Sequence, residues 1–443
     1  MNLIMIRKGT RKGTRKGTRN GTRNGTRLMT FCRLGLSVFL LPAMGLTGLA
    51  SSRAEASDVV FWHTMNTEET KTLEAIVKDF EKENPGTKIK IQNVPFSDAQ
   101  NKYKISAQAG KAPDVLRSEI AWIAEFANLG LLEEIKLSQA DQQDFLKVAQ
   151  SYAFWEGKNY GIPQVTDCLA LLYNKRILRE KKVSVPLTMD ELAQTGKVLS
   201  SPKEKKWALS FNPAGYWAQV FIWSFGGGLI RGEDSSIHIA DPESVQGIQF
   251  MIDLMQVYGV SPKEMDFVNG YNNMMTGFKQ GRYAMIMNGP WATSDALNGD
   301  EFKDPENLGV AIIPRGPKGN FSPVGGHSYV VYKGSLVKPE AIKFASFLSE
   351  TKNQILLAKN HNLLPTRQSA WNSSEVKNLK LISAFKSQLD VATSRPVIPE
   401  GGGIYTALDR SVEDALSLNK DAASAMRKVQ KQWQKLLKHR KNK

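Results

Sequence analysis

Cysteine is almost absent from this chain of 443 residues, which holds only Cys32 and Cys168. Cys32 lies in an N-terminal segment expected to be removed, which leaves Cys168 alone and rules out an intrachain disulfide. No CxxC or HExxH occurs. No two of the histidines (His63, His238, His327, His361, His439) are four apart, so no metal site and no cofactor are expected. A G-x-S-x-G elbow and a Walker loop are also missing, so neither an α/β-hydrolase nucleophile nor a P-loop has support in the sequence. Cys168 sits in an apolar run with no base beside it, where a thiol is an inert small hydrophobe rather than a nucleophile. Beyond residue 56 no apolar stretch is long enough to span a bilayer. No catalytic residue is therefore nominated.

What is present begins with the first 56 residues. Residues 7–27 repeat RKGT and RNGT with no apolar side chain to bury. Arg27 and Arg33, the apolar run Leu34–Leu49 and the small-residue stretch Ala50–Ala56 follow. A basic start, an apolar middle and an A-x-A site read as a secretory signal peptide cleaved after Ala56. The apolar run is short for a membrane anchor and is broken by Gly35, Pro42, Gly45 and Gly48. Cys32 precedes that run instead of standing at the cleavage site, so a soluble periplasmic protein is expected, not a lipoprotein. Met29 is an alternative start, which mass spectrometry of the precursor would decide.

Removing the leader changes the charge argument. The whole chain carries 59 Lys+Arg against 43 Asp+Glu, and the leader holds eleven of the bases and one acid. The remaining 387 residues have 48 bases and 42 acids, a surplus of six. Those bases read as spread along the chain, whereas a phosphate-tracking surface clusters them, so nucleic acid is not an expected partner.

The mature chain alternates strand and helix. Asp58–Trp62 and Lys88–Gln92 have strand patterns, and between them Asn66 and Glu69 form a capping box ahead of Leu73, Ile76, Val77 and Phe80. Residues 112–116 are predicted as a short strand and 120–128 as a helix closed by Gly130. Residues 160–165 and 168–173 read as two strands about a kink. Thr188 with Glu191, and Asp241 with Pro242, mark further helix starts. Residues 283–287 are a buried-type strand, and a C-terminal helix should bury Met426, Val429, Trp433 and Leu436. Gly226–Gly228 and Gly401–Gly403 match no phosphate cradle and are expected in turns. Such alternation implies α/β lobes with largely parallel sheets, where ligands bind at loops beyond the strand ends.

Aromatic residues crowd those ends. Tyr216, Trp217 and Trp223 share one segment, and Trp62, Trp122, Trp155 and Trp291 lie at or beside predicted element termini. Most tryptophans are core, but rings at loop mouths suit a sugar, whose apolar faces pack on them while acids and amides take the hydroxyls. Glu119 and Asp167 are acids of the required kind; read alone they are equally surface acids, and no spacing marks them as a glycosidase pair.

Several ordered motifs resemble a known family. Gly110-Lys-Ala-Pro-Asp-Val115 followed by Trp122 and Ala127-Asn-Leu-Gly-Leu-Leu132, Tyr160-Gly-Ile-Pro163 leading to Leu172-Tyr-Asn-Lys175, and Phe278-Lys-Gln-Gly281 leading to Met287-Asn-Gly-Pro-Trp291 are three. Pro323-Val-Gly-Gly326 and Arg395-Pro-Val-Ile-Pro399 through Tyr405 complete the order. Together they resemble ABC-transporter extracellular solute-binding proteins for sugars, in the maltose, maltodextrin and trehalose group. The resemblance covers residues 57–443. It implies an α/β, two-lobed periplasmic-binding-protein fold (type II, maltose-binding-protein-like) with a cleft between the lobes. Lobe one would be 57–165 plus 320–370, and lobe two 166–319 plus 371–443. It further implies ligand contacts from Glu119, Asp167, Tyr216, Trp217, Trp291, Gly325, Gly326 and Tyr405, with Asp114 in the scaffold. The implied protein is a monomer that captures a sugar by hinge closure and hands it to an inner-membrane permease. A glycerol-phosphate or other anionic solute is the alternative within the family, and a secreted glycoside hydrolase the alternative outside it. Two departures point away from maltose in particular, toward a disaccharide or oligosaccharide. His63-Thr64-Met65-Asn66 replaces charged residues after the first strand, and Asp409, followed by Arg410, stands where an arginine is expected.

Overall fold

The computed structural model describes residues 57–231 and 235–441. The leader expected over residues 1–56, with its cleavage site and Cys32, lies outside them. Two main sheets are built from ten strands: β1 (Ser57–His63), β2 (Thr87–Asn93), β3 (Val115–Glu119), β4 (Ile162–Cys168), β5 (Ala170–Asn174), β6 (Trp207–Ser210), β7 (Tyr283–Asn288), β8 (Leu308–Ala311), β9 (Val324–Val331) and β10 (Leu364–Pro365). The first sheet has the order β10-β4-β9-β3-β1-β2, and the second β8-β5-β7-β6. Each has its own core. Val59, Phe61, Leu73, Phe80, Tyr329 and Phe344 pack around the first, and Phe221, Met251, Met285, Val429 and Trp433 around the second.

Neither sheet is largely parallel, contrary to the reading from alternation. In the first, β1 runs parallel to β2 and β3, but β9 is antiparallel to β3 and β4. In the second, β7 is parallel to β6 and antiparallel to β5. The cause is the path of the chain. β4 and β5 form one nearly continuous extended stretch that leaves the first sheet and enters the second, broken only at Leu169. The chain returns through β9, which must then lie antiparallel to the strand by which it left.

Helix starts follow their sequence signals. In α1 (Thr67–Glu83) the Asn66 side chain accepts from the Glu69 amide at 2.9 Å, and Glu69 returns a bond to the Asn66 amide at 3.2 Å. Other expectations shift. The strand expected at 112–116 begins only at Val115, because Pro113 has no N–H to donate and the Asp114 carboxylate ties the loop down. It accepts from the Val60 amide at 2.8 Å and the Ser335 hydroxyl at 2.6 Å, the scaffold role expected of it.

Three helices of the second half matter for the site: α2 (Gly215–Ser224), α3 (Gly401–Leu416) and α4 (Ala422–Lys441). Gly401–Gly403 is not a turn but the first turn of α3. The glycines allow close approach: a Cβ on Gly402 would lie 2.3 Å from the Gln100 amide nitrogen, and one on Gly401 2.8 Å from the Ala121 carbonyl. In α4 the buried stripe is Met426, Val429, Trp433 and Leu437, with Leu436 only partly covered. Among the described residues no helix is long and apolar enough to cross a membrane.

Between the sheets, three segments lie side by side. The Leu169 amide donates to Ser322 Oγ at 2.7 Å. The Thr393 amide donates to the Ser322 carbonyl at 2.8 Å, and the Val324 amide to the Thr393 carbonyl at 2.9 Å.

Candidate functional site

Where these segments meet, five of the eight sequence-predicted residues gather around an arginine that was not among them. Glu119 ends β3, Asp167 lies near the end of β4, and Gly325 pairs with Asp167 on the neighbouring β9. Tyr216 enters from the first turn of α2 and Tyr405 from α3. Arg395 occupies the centre. Its guanidinium forms a buried ion pair with Glu119 Oε1, its Nε donates to the Val324 carbonyl at 2.7 Å, and its charge lies over the rings of Tyr216 (5.2 Å) and Tyr405 (5.5 Å). The Arg395 amide donates to the Tyr152 hydroxyl at 2.6 Å.

The two acids differ in what they have left to offer. Glu119 is fully engaged, since its second oxygen accepts from the Ala121 amide at 2.8 Å and caps the following turn. Asp167 accepts from the Tyr216 hydroxyl at 3.2 Å through Oδ1; its Oδ2 makes no hydrogen bond within the described residues. Burial pushes the Asp167 carboxyl up to about 7, with the nearby Glu119 charge adding to it, while Arg395, the Tyr216 hydroxyl and Arg117 pull it back. Burial likewise pushes the Tyr405 phenol up to about 12. The glycines make this fit possible. A Cβ on Gly325 would lie 2.0 Å from Asp167 Oδ1 and 2.5 Å from the Tyr216 hydroxyl. Gly326, at φ +140°, would drive one to 2.3 Å from the Val165 carbonyl.

The two tryptophans stand beside this cluster rather than in it. Trp217 meets Tyr216 edge-on at 5.6 Å, then Tyr271 at 6.2 Å, and its indole N–H donates to the Met287 carbonyl at 2.7 Å. It is almost fully buried and serves as a wall behind Tyr216. Trp291, half-buried just after β7, packs against the second core and also against Val165, Leu357 and Leu363 from the first-sheet side. Its carbonyl receives the Asn66 side chain at 3.4 Å.

Sequence reasoning missed Arg395, although it quoted the Arg395-Pro-Val-Ile-Pro399 motif; a cation inside an otherwise apolar segment was the available signal. It also missed Arg117, at the middle of β3. That side chain is 4% exposed and makes no ion pair among the described residues, its Nε donating to Gln164 at 2.7 Å and a terminal nitrogen to Thr64 Oγ1 at 2.9 Å. Burial holds the adjacent His63 down to about 4, with the Arg117 charge adding to the effect, so this imidazole is neutral at pH 7. Across the sheet, His327 pairs with Glu119 in register, and neither ring nitrogen has a hydrogen-bond partner among the described residues. Burial, with Arg117 and Arg395 nearby, holds it neutral as well. The departures noted in sequence thus lie at the site. His63 and Thr64 surround Arg117, and Asp409 accepts from the Gly215 amide at 2.6 Å, fixing the start of α2. Cys168 is fully buried beside Asp167, and burial raises its thiol far from reactivity.

Comparison with known proteins is consistent across sequence and structure. Residues 66–355 match the family described as bacterial extracellular solute-binding protein. A maltotriose-binding protein of Pyrococcus abyssi is 26% identical over 373 residues, covering 82% of this chain and 78% of its own. A maltooligosaccharide ABC-transporter solute-binding lipoprotein of Streptococcus pneumoniae R6 is 28% identical, covering 80% and 83%. Among solved structures, the GacH receptor of Streptomyces glaucescens, studied unliganded and with acarbose, aligns with a TM-score of 0.82 and 34% identity over 86% of this chain and 99% of its own. The architecture is accordingly α/β and two-lobed, with a cleft between the lobes. These relatives bind solutes and are not enzymes.

Proposed function

Because the chain belongs to the bacterial extracellular solute-binding protein family, we propose that it is the sugar-capturing component of an ABC transporter, with a malto-oligosaccharide as ligand. The observation that carries this reading is the site itself. Asp167 offers a carboxylate oxygen that is unengaged among the described residues, beside the rings of Tyr216 and Tyr405 at the junction of the two sheets. In this reading lobe one is 57–165 with 320–370, and lobe two 166–319 with 371–443. Asp167 accepts hydrogen bonds from sugar hydroxyls. Tyr216, Tyr405 and Trp291 supply flat apolar surface for pyranose faces. Glu119 acts through Arg395, holding it against the rings, and Gly325 and Gly326 keep the first-lobe wall close. Trp217 backs Tyr216.

Capture needs no bond chemistry. The lobes hinge where Leu169, Ser322–Val324 and Thr393 run side by side, and a ligand bridging both walls favours the closed arrangement by its differential affinity for it. The loaded protein then presents the sugar to its permease. The leader directs the chain to the periplasm, starting at Ser57 and without lipid; intact-mass measurement on exported material tests that start. The names of the relatives favour malto-oligosaccharides over trehalose. Calorimetric titration against maltose, maltotriose, maltotetraose, trehalose and glycerol 3-phosphate tests the assignment. Maltotriose or maltotetraose should bind near micromolar, about −8 kcal/mol. Exclusive binding of glycerol 3-phosphate would overturn the sugar reading, and release of reducing sugar from glucans would overturn the non-catalytic one.

A further inference from the structure

The even spread of bases expected from the sequence does not hold at the C-terminus. Residues 420–443 contain nine Lys or Arg and a single acid, Asp421. Residues 57–419 hold 39 bases and 41 acids, so the body of the exported chain is weakly acidic and its whole surplus of positive charge sits in this last segment. The structure places most of that segment on α4. Its apolar stripe, Met426, Val429, Trp433 and Leu437, is turned into the second core. On the opposite face Arg427, Lys431, Lys435 and Lys438 are exposed, spaced by four, four and three residues in a line roughly 16 Å long. Lys428 is neutralised by Asp414 at 2.7 Å, whereas Lys431, Lys435 and Lys438 make no ion pair among the described residues. A surface groove of about 450 Å³ runs along this face, lined by Lys420, Arg427, Lys428, Lys431 and Lys435.

We propose that this face of α4 is an electrostatic docking surface for anionic phospholipid headgroups, which holds the protein transiently at the outer surface of the cytoplasmic membrane. The chemistry of the face favours a lipid surface over a protein partner. Protein interfaces concentrate aromatic residues and deplete lysine at their centre, and here the one aromatic residue of the helix, Trp433, is turned inward while lysine dominates. Unpaired lysines in a line, with no apolar anchor, suit a diffuse sheet of negative charge that attracts them without fixed geometry. The charge asymmetry between α4 and the body orients the molecule as well, because the weakly acidic remainder is repelled by the same surface. A protein without a lipid anchor would thereby spend more of its time near a membrane-embedded partner.

Co-sedimentation with vesicles tests the proposal, using the chain from Ser57, whose described residues belong to one compact unit. Vesicles of phosphatidylcholine alone are compared with vesicles containing 30% phosphatidylglycerol, at 20 mM and 500 mM salt. At low salt, binding to the phosphatidylglycerol vesicles should be at least tenfold stronger, and high salt should abolish the difference. The triple variant Lys431→Glu, Lys435→Glu, Lys438→Glu should stay folded and lose the preference while its sugar affinity remains unchanged, since these exposed side chains lie outside the apolar stripe and the proposed site. The milder triple change to Gln should weaken it without reversing the charge. Equal binding to the two vesicle types, as expected if the face instead meets an acidic protein, would overturn the proposal. So would an undiminished lipid preference in the Glu variant, or retention on a DNA duplex stronger than on the anionic vesicles.

Discussion

Glu119 and Asp167 face the same arginine, but their surroundings assign them different work. Glu119 has both oxygens occupied, by Arg395 and by the Ala121 amide, whereas one Asp167 oxygen accepts no hydrogen bond among the described residues. Asp167→Asn should therefore weaken sugar binding by about 1–3 kcal/mol at pH 8, the range for a hydrogen bond to a charged group, and titration calorimetry will measure it. The same substitution tests the proton. The folded carboxyl lies near 7, well above its ordinary value near 4, so the folded state binds a proton that the unfolded state has released. The Asp167 contribution to stability should thus be most favourable below pH 4, fall as pH rises from about 4 to about 7, and stay flat above. Denaturant titrations at pH 5 and pH 8 should show this fall in the parent and a smaller one in Asp167→Asn. Arg395→Ala should behave differently: it strands Glu119 as an unpaired buried charge and should cost about 3–5 kcal/mol of stability. A loss below 1 kcal/mol would mean that the pair is solvated and holds nothing in place.

At the level of elements, the start of α2 decides where Tyr216 points. Its N-cap, Ala214, has no hydrogen-bonding side chain, and the first-turn amide of Gly215 is met instead by Asp409 from the middle of α3. A negative charge at a helix N-terminus is favourable both as a cap and against the dipole. Asp409→Ala should cost about 1–2 kcal/mol of stability and should also weaken sugar binding, because the turn carrying Tyr216 and Trp217 is released. Unchanged affinity would show that the Tyr216 position does not depend on the cap. This contact shows what the sequence could reveal and what it could not. The local signals were legible: the Asn66–Glu69 capping box, the Asp241-Pro242 start, the αL glycine after residue 128, and most of the α4 stripe. All are written within a turn or two of chain. Asp409 was visible only as a departure from a motif, because its partner lies 194 residues away. Arg395 and Glu119 are 276 residues apart, and nothing local to either announces the pair. Strand direction failed for a related reason, since alternation of elements does not say that β4 runs out of one sheet into the next.

At the scale of the molecule, the proposed site and the proposed hinge are neighbours along the chain. Asp167 is two residues from the Leu169 break, Gly325 follows the Ser322–Val324 crossing, and Arg395 follows Thr393. If the proposal holds, a ligand gripping Asp167 and Tyr216 together acts beside the crossing segments, and Trp291, whose carbonyl accepts from the Asn66 side chain across the junction, should report on it. Small-angle scattering of the chain from Ser57, free and saturated with maltotriose, should show a smaller radius of gyration with ligand. Indole emission should shift with the same midpoint. Trp291→Ala should lower affinity by on the order of 2–4 kcal/mol, as for a buried aromatic anchor, yet still compact when enough sugar is added. Closure requires only that the bound sugar prefer the closed state, and a weaker ligand can satisfy that at higher concentration. An unchanged radius at saturation in the parent protein would leave sugar binding intact and remove hinge closure as its mechanism.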